Sequence, residues 1–313
     1  MARRDALATD FPSGRAVHAI RRRVLSWYAR DHRDLPWRRT RDPYAVLVSE
    51  VMLQQTQANR VVDRYESFLA RFPTARALAG ASDAAVLAEW SGLGYNRRAV
   101  ALRRAAVVIS ASGWPEGSAD LQRLPGVGPY TARALASLAF GEAVGVVDTN
   151  VRRWLVRRFG LPLSSAPPRL QRLADELALG SCELPPDRAE VAAWTHASME
   201  LGASICRARA PLCDACPVAR GCPSRGRAIH VPVPQQAPFP SSNRAARGAL
   251  IRALAAAPNH ELTRTQAIDQ LADSFQAESA AKELEREGLL HSDGDRLRLG
   301  PAESRRHAAT IGA

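Results

Sequence analysis

The sequence predicts an all-α fold that ends in a small winged-helix-like module. Three observations point to it. Apolar residues recur at helical rather than alternating spacing through roughly the first 225 residues. Proline and glycine break these stretches at Pro73, Gly92, Gly94, Pro115, Gly160, Pro185 and Pro186, as expected for short helices joined by turns. Beyond a Pro-rich interruption, three further amphipathic segments lead into a hairpin turn signal.

Each element follows in order. Residues 1–15 form an N-terminal arm without the apolar core of a signal peptide. A helical pattern occupies 16–31. In the segment from Ala58, apolar side chains at Val61, Val62, Tyr65, Phe68 and Leu69 fall on one helical face. Similar patterns cover 83–91, 97–111, 129–140, 148–159, 168–179 and 187–203. "IHVPVPQQAPFPSSN" (229–243) holds four prolines and no helical period, so it reads as a linker or extended strap. Helical patterns resume at 244–257, 263–273 and 276–287. Two short strands are expected around Asp293-Gly294, completing a module over 244–300, with 301–313 as a flexible tail.

Charge narrows the function. Lys and Arg number 43 against 31 Asp and Glu, for a net charge of +12. Lys282 is the only lysine. No apolar run approaches the roughly 20 residues that span a bilayer, so the expectation is a cytoplasmic, nucleoid-associated chain. A basic chain without a membrane signal points to a polyanion, and nucleic acid leads; a solvated basic surface is the ordinary alternative. Four of the five cysteines crowd into "CRARAPLCDACPVARGC" (206–222), spaced C-x6-C-x2-C-x5-C. Such a cluster in a reducing compartment favours metal over disulfides. Cys182 stands apart and reads as a free thiol.

Three further motifs bear on chemistry. "LQRLPGVGPYTARALASLAF" (121–140) places Gly126 and Gly128 in a tight turn before a helix that Pro129 can open. Free N–H groups there suit a phosphodiester, although a plain turn explains the glycines equally. "VVDTNVRR" (146–153) puts Asp148 before a helix, where an N-cap is its ordinary role. In "VSEVMLQQTQ" (48–57) Glu50 lies in an apolar helical stretch, with Gln54 and Gln57 expected on the same face. A carboxylate there needs a partner or a raised pKa, unless the helix phase sets it at the surface.

Taken together, "LPWR" (35–38), "SEVMLQQTQ" (49–57), "GLGY" (92–95), "LPGVG" (124–128), "VDTNVRR" (147–153), "MELGASIC" (199–206) and the cysteine spacing resemble the helix–hairpin–helix DNA glycosylase superfamily that carries a [4Fe–4S] cluster. Within it the chain looks like the MutY branch, which removes adenine mispaired with 8-oxoguanine. The resemblance spans 16–228 and implies two helical subdomains plus an iron–sulfur loop. It implies cluster ligation by Cys206, Cys213, Cys216 and Cys222, with Arg207, Arg209 and Arg220 on a phosphate-binding surface. Zinc is the alternative, but the paired CxxC knuckles of common zinc sites are absent. The implied substrate is duplex DNA with an A:8-oxoG or A:G mispair, and the implied state is a monomer.

The resemblance also assigns roles residue by residue. Glu50 matches the acid that protonates adenine and later helps activate water. Asp148 matches the stabiliser of an oxocarbenium-like sugar, and Asn150 would orient it or the water. This logic needs two carboxylates whose pKa values are pushed apart, Glu50 up by its apolar setting and Asp148 kept ionised by hydrogen bonds. Trp37 and Arg38 match the adenine pocket wall, Tyr95 an intercalating residue, and Gln54 and Gln55 residues against the lesion pair. Tyr130 stands where endonuclease III-like relatives place a Schiff-base lysine, so a monofunctional hydrolase is expected. His196 replaces a commoner Gln or Glu against the base, and "DTN" replaces "DGN". The 244–300 segment is too short and too helical for the Nudix-like domain usual in the branch. A thymine-type mismatch glycosylase and a non-catalytic iron–sulfur DNA-binding protein are the competing readings.

Overall fold

The computed structural model describes residues 12–180, 186–227, 242–271 and 274–302. Most of the N-terminal arm, nearly all of the Pro-rich linker, most of the tail and Cys182 lie outside these residues. Two compact units emerge. The first comprises 1–50, 115–123 and 127–234; the second comprises 51–114, 124–126 and 235–313.

In the first unit, α1 (Gly14–Asp31) lays Val17, Ile20, Val24 and Trp27 into one core. That core is completed by α9 (Thr149–Phe159), α10 (Pro167–Leu179) and α11 (Arg188–Glu200) through Trp154, Leu155, Leu170, Leu177 and Trp194. Burying these large apolar side chains is the main stabilising term, at roughly 1.5–3 kcal/mol each. Two helices end in π-turns: α8 (Pro129–Leu135) continues into Ala136–Phe140, and α11 continues into Leu201–Ile205. The second of these turns delivers the chain to Cys206.

The second unit packs α3 (Ala58–Arg71), α4 (Ala75–Gly80), α5 (Asp83–Glu89) and α6 (Arg97–Ser112) around Phe68, Leu78, Leu87, Trp90 and Leu102. Phe68 meets Trp90 edge-on at 5.9 Å. Ser82 and Thr74 cap α5 and α4 by accepting backbone N–H bonds.

The C-terminal module holds α12 (Asn243–Ala256), α13 (Arg264–Asp269) and α14 (Ser274–Arg286). Its sheet has three strands rather than two: β1 (Glu261–Thr263), β2 (Leu290–Asp293) and β3 (Arg296–Leu299), antiparallel in the order β1-β3-β2. The expected hairpin is β2–β3; β1 adds Glu261 opposite Arg298. Thr263 then opens α13 with a capping box to Gln266, and the helix ends at Asp269, short of the 263–273 expected. Among the described residues no helix is long and apolar enough to cross a membrane.

Candidate active site

The first unit brings Glu50, Tyr130, Asp148 and Asn150 into one cluster. Glu50 lies on α2 (Pro43–Leu53), whose sequence is almost wholly apolar around it, and it is 5% exposed. Burial lifts its carboxyl to about 7, and the nearby Asp148 charge adds to the rise, while a hydrogen bond with Tyr130 opposes it. Tyr130 follows Pro129 at the start of α8, and burial pushes its hydroxyl far above the usual phenol range. It therefore stays protonated and donates to Glu50.

Asp148 is both the N-cap of α9 and a member of the cluster. Its Oδ1 accepts from the Val151 N–H at 2.6 Å, and its Oδ2 accepts from Asn150 Nδ2 at 2.7 Å. Asn150 cannot rotate freely, because Arg153 Nη2 donates to its Oδ1 at 2.8 Å. The same guanidinium reaches the Gly202 carbonyl at 2.6 Å and the Cys206 carbonyl at 2.7 Å. Gly202 lets the start of α9 pack closely against it: a Cβ there would sit 2.5 Å from the Asn150 carbonyl oxygen. One expectation is corrected here. Burial raises Asp148 above its ordinary value despite the hydrogen bonds that favour its charged form. The two carboxyls are thus not pushed in opposite directions; desolvation acts on both, and its effect on Glu50 is opposed by only one hydrogen bond.

A second cluster surrounds Glu200, which sequence reading missed. Its side chain is fully buried. Burial alone would raise it, but Arg33 and Arg38 hold it below the usual carboxylate range. Arg33 bonds it bidentately at 2.7 and 2.8 Å, and Arg38 Nη2 at 2.6 Å. Arg38 follows buried Trp37 in a 3₁₀ turn (Pro36–Arg38), and its Nε is buried without an acceptor. Nearby His196 is pushed down to about 3, first by burial and then by the Arg38 and His32 charges, so it is neutral near pH 7.

All four clustered cysteines line one small cleft of about 30 Å³, together with Arg157. Each is half-buried. Arg157 Nη1 lies 3.5 Å from Cys206 Sγ and bonds the Arg207 carbonyl at 2.7 Å, while the Cys222 Sγ faces the Arg157 carbonyl. Burial pushes the Cys216 thiol up to about 11. Among the described residues no three His, Cys, Asp or Glu converge as ligands of a single metal ion. The four sulfurs nonetheless share one cleft, the kind of donor set that a cluster-binding loop would need.

In the second unit Arg98 organises the loops that carry Gln54, Gln55 and Tyr95. The sequence places Gln54 and Gln57 on the helix with Glu50, but α2 stops at Leu53 and Gln57 stands at the N-cap position of α3 without a side-chain cap bond. Arg98 Nη1 takes up the carbonyls at that helix end, bonding Val51 at 2.7 Å, Met52 at 3.1 Å and also Gln54. Its Nη2 bonds the Gly94 carbonyl at 3.0 Å and its Nε the Tyr95 carbonyl at 3.3 Å. Each flanking loop holds one non-glycine residue in left-handed conformation, Gln55 at φ 55° and Tyr95 at φ 48°. Tyr95 projects outward, 41% exposed. Gly126 is also required by packing: at φ 78°, a Cβ would fall 2.7 Å from that of Ala101. Gly128 N-caps α8 and faces open space.

Comparisons with known proteins converge on one family. A model of the HhH-GPD superfamily of base excision DNA repair proteins matches residues 48–178. The chain is 39% identical over 285 residues to the adenine DNA glycosylase of Mycobacterium tuberculosis (strain CDC 1551 / Oshkosh), covering 85% of this chain and 88% of that protein. It is 44% identical over 225 residues to adenine DNA glycosylase of Homo sapiens, covering 67% of this chain and 40% of that one. Among solved structures, a thermostable thymine-DNA glycosylase superposes with TM-score 0.60 at 27% identity, covering 67% of this chain and 97% of that one. An endonuclease III–DNA covalent intermediate superposes with TM-score 0.57 at 19% identity, covering 70% of this chain and 100% of that one, and shares the fold. With Glu50 and Asp148 in one buried cluster and this likeness extending along most of its length, the chain belongs to the adenine DNA glycosylases of the HhH-GPD superfamily.

Proposed function

We propose that the protein hydrolyses adenine from A:8-oxoG and A:G mispairs, with Glu50 as general acid and Asp148 as the electrostatic partner. The observation that carries this reading is a buried carboxyl held near pH 7 beside a second, hydrogen-bonded carboxyl. The target base leaves the stack before reaction. Glu50 gives its proton to N7, the C1′–N9 bond breaks, and the bonding electrons leave with the now neutral base. Positive charge develops on the sugar, where ionised Asp148 faces it; that same charge favours the ionised form which burial disfavours. Water then adds to C1′, and its proton returns to Glu50. The products are free adenine and an abasic site.

Arg153 and Asn150 keep Asp148 aimed, and the Tyr130 hydroxyl holds the Glu50 carboxyl in place. Neutral His196 can donate to or accept from the base edge, and Arg38 Nε can donate to a ring nitrogen. Trp37 supports the turn that carries Arg38. Tyr95, Gln54 and Gln55 face the disturbed base step, and Gly126 and Gly128 let the DNA backbone approach the hairpin. Cys206, Cys213, Cys216 and Cys222 would hold a [4Fe–4S] cluster, whose iron–thiolate bonds would brace the loop 206–222.

The test is release of free base from duplexes holding A:8-oxoG, A:G or T:G. Adenine release from the first two, reduced by about 10²–10⁴-fold in Glu50→Gln, supports the reading. Thymine release from T:G, or adenine release undiminished by the substitution, refutes it.

A further inference from the structure

The second unit contains a cavity of about 820 Å³ whose wall joins Gln55, Tyr95 and Arg97 to three arginines of α12, Arg244, Arg247 and Arg252. Its lining carries six guanidinium groups and one carboxylate, Glu287. That carboxylate is already paired with Arg247, which also bonds Glu283 at 3.2 Å. Arg247 is thus a structural arginine, tying α12 to α14.

Other acids of the module are spent in the same way. Glu278 pairs with Arg264, and Glu261 with Arg296 and Arg298. In the fold they are consumed by internal pairs, and the cavity keeps its positive charge. Like charges gathered around one opening repel unless an anion enters. Arg244 and Arg252 lie eight positions apart, about 12 Å along a helix. That is wide enough to meet separate phosphates of one strand, which recur about every 3.4 Å of duplex axis.

We propose that Arg244 and Arg252 of α12 bind phosphates of the duplex beside the base step that Tyr95 and Gln55 approach. The C-terminal module thereby forms part of the DNA interface without any Nudix-like domain. The proposal rests on the reading of Tyr95 and Gln55 as DNA-facing residues.

The experiment uses the full chain in a Glu50→Gln background, so that the duplex is not consumed. Binding to a fluorescent A:8-oxoG duplex is measured by anisotropy over a range of salt. The pair Arg244→Glu/Arg252→Glu is compared with Lys282→Glu, an exposed position on α14 outside the cavity. The expected result is at least a tenfold rise in Kd for the pair. The slope of log K against log salt should also fall by about 2, since each phosphate that is no longer neutralised lowers it by about 0.9. Lys282→Glu should change Kd by less than about threefold. If the pair matches Lys282→Glu in both Kd and slope, the proposal is wrong. Should the double variant not fold, Arg252→Gln alone decides, with an expected slope change of about 1. Adenine release by the wild-type chain is measured on the same duplex. Release with an unchanged slope overturns the phosphate surface alone; no release with a reduced slope overturns the glycosylase reading and leaves the surface standing.

Discussion

Replacing Glu50 by glutamine should cost activity and gain stability, with a sign that depends on pH. An unfolded glutamate ionises near 4.5, whereas burial holds Glu50 at about 7. Below the unfolded value the carboxyl is neutral in both states, and folding carries no penalty. As pH rises toward and through 7, the unfolded chain ionises freely while the folded chain must strip water from the charge. The folded state therefore loses stability, reaching about 3 kcal/mol at about 1.4 kcal/mol per pH unit. Glutamine keeps the shape and has no proton to lose. At about pH 5 the variant and wild type should melt close together. At about pH 8 the variant should be the more stable by up to about 3 kcal/mol, or roughly 5–10 °C in Tm for a domain of this size. Scanning calorimetry of the full chain at both pH values reads this directly. A variant no more stable than wild type at pH 8, with the same pH dependence, would refute the claim that Glu50 is a buried, raised carboxyl.

Arg98→Ala removes the donor that holds five backbone carbonyls, two at the end of α2 and three in the loops beyond, so it should lower stability by about 3 kcal/mol or more in urea unfolding and slow adenine release; Arg98→Lys should recover only part, since one ammonium cannot match the guanidinium fork. Cys213→Ser should yield protein with iron content well below wild type and weakened duplex binding, read by iron assay and anisotropy. Borohydride should trap no covalent protein–DNA adduct, because Tyr130 offers no amine and the only lysine, Lys282, sits in the C-terminal module on α14; an adduct on denaturing gels would contradict this.

What was legible in the sequence follows from the range of the forces involved. Asp148 could be read as an N-cap because capping is local: the side chain bonds an N–H three residues on. Glu50 stood out because its neighbours on α2 are apolar. Gln57 was misplaced because α2 is stopped by Arg98, 47 residues from Val51 in sequence, and no local signal marks that end. Glu200 escaped notice for the same reason, since Arg33 lies 167 residues away and Arg38 162. A three-residue strand such as β1 has no period of its own; pairing with β3 creates it. The rise of Asp148 depends on burial by the whole fold, which outweighs hydrogen bonds that the local sequence does foretell.

The central claim is that a carboxyl kept protonated by burial delivers a proton to the leaving base. The pH profile of single-turnover adenine release on an A:8-oxoG duplex tests it most directly. A group at about 7 predicts a rate that is high below neutrality and falls about tenfold per pH unit well above it. That alkaline limb should vanish in the residual activity of Glu50→Gln. A rate that stays level to about pH 9 in the wild type, or a limb that survives the substitution, would contradict the account.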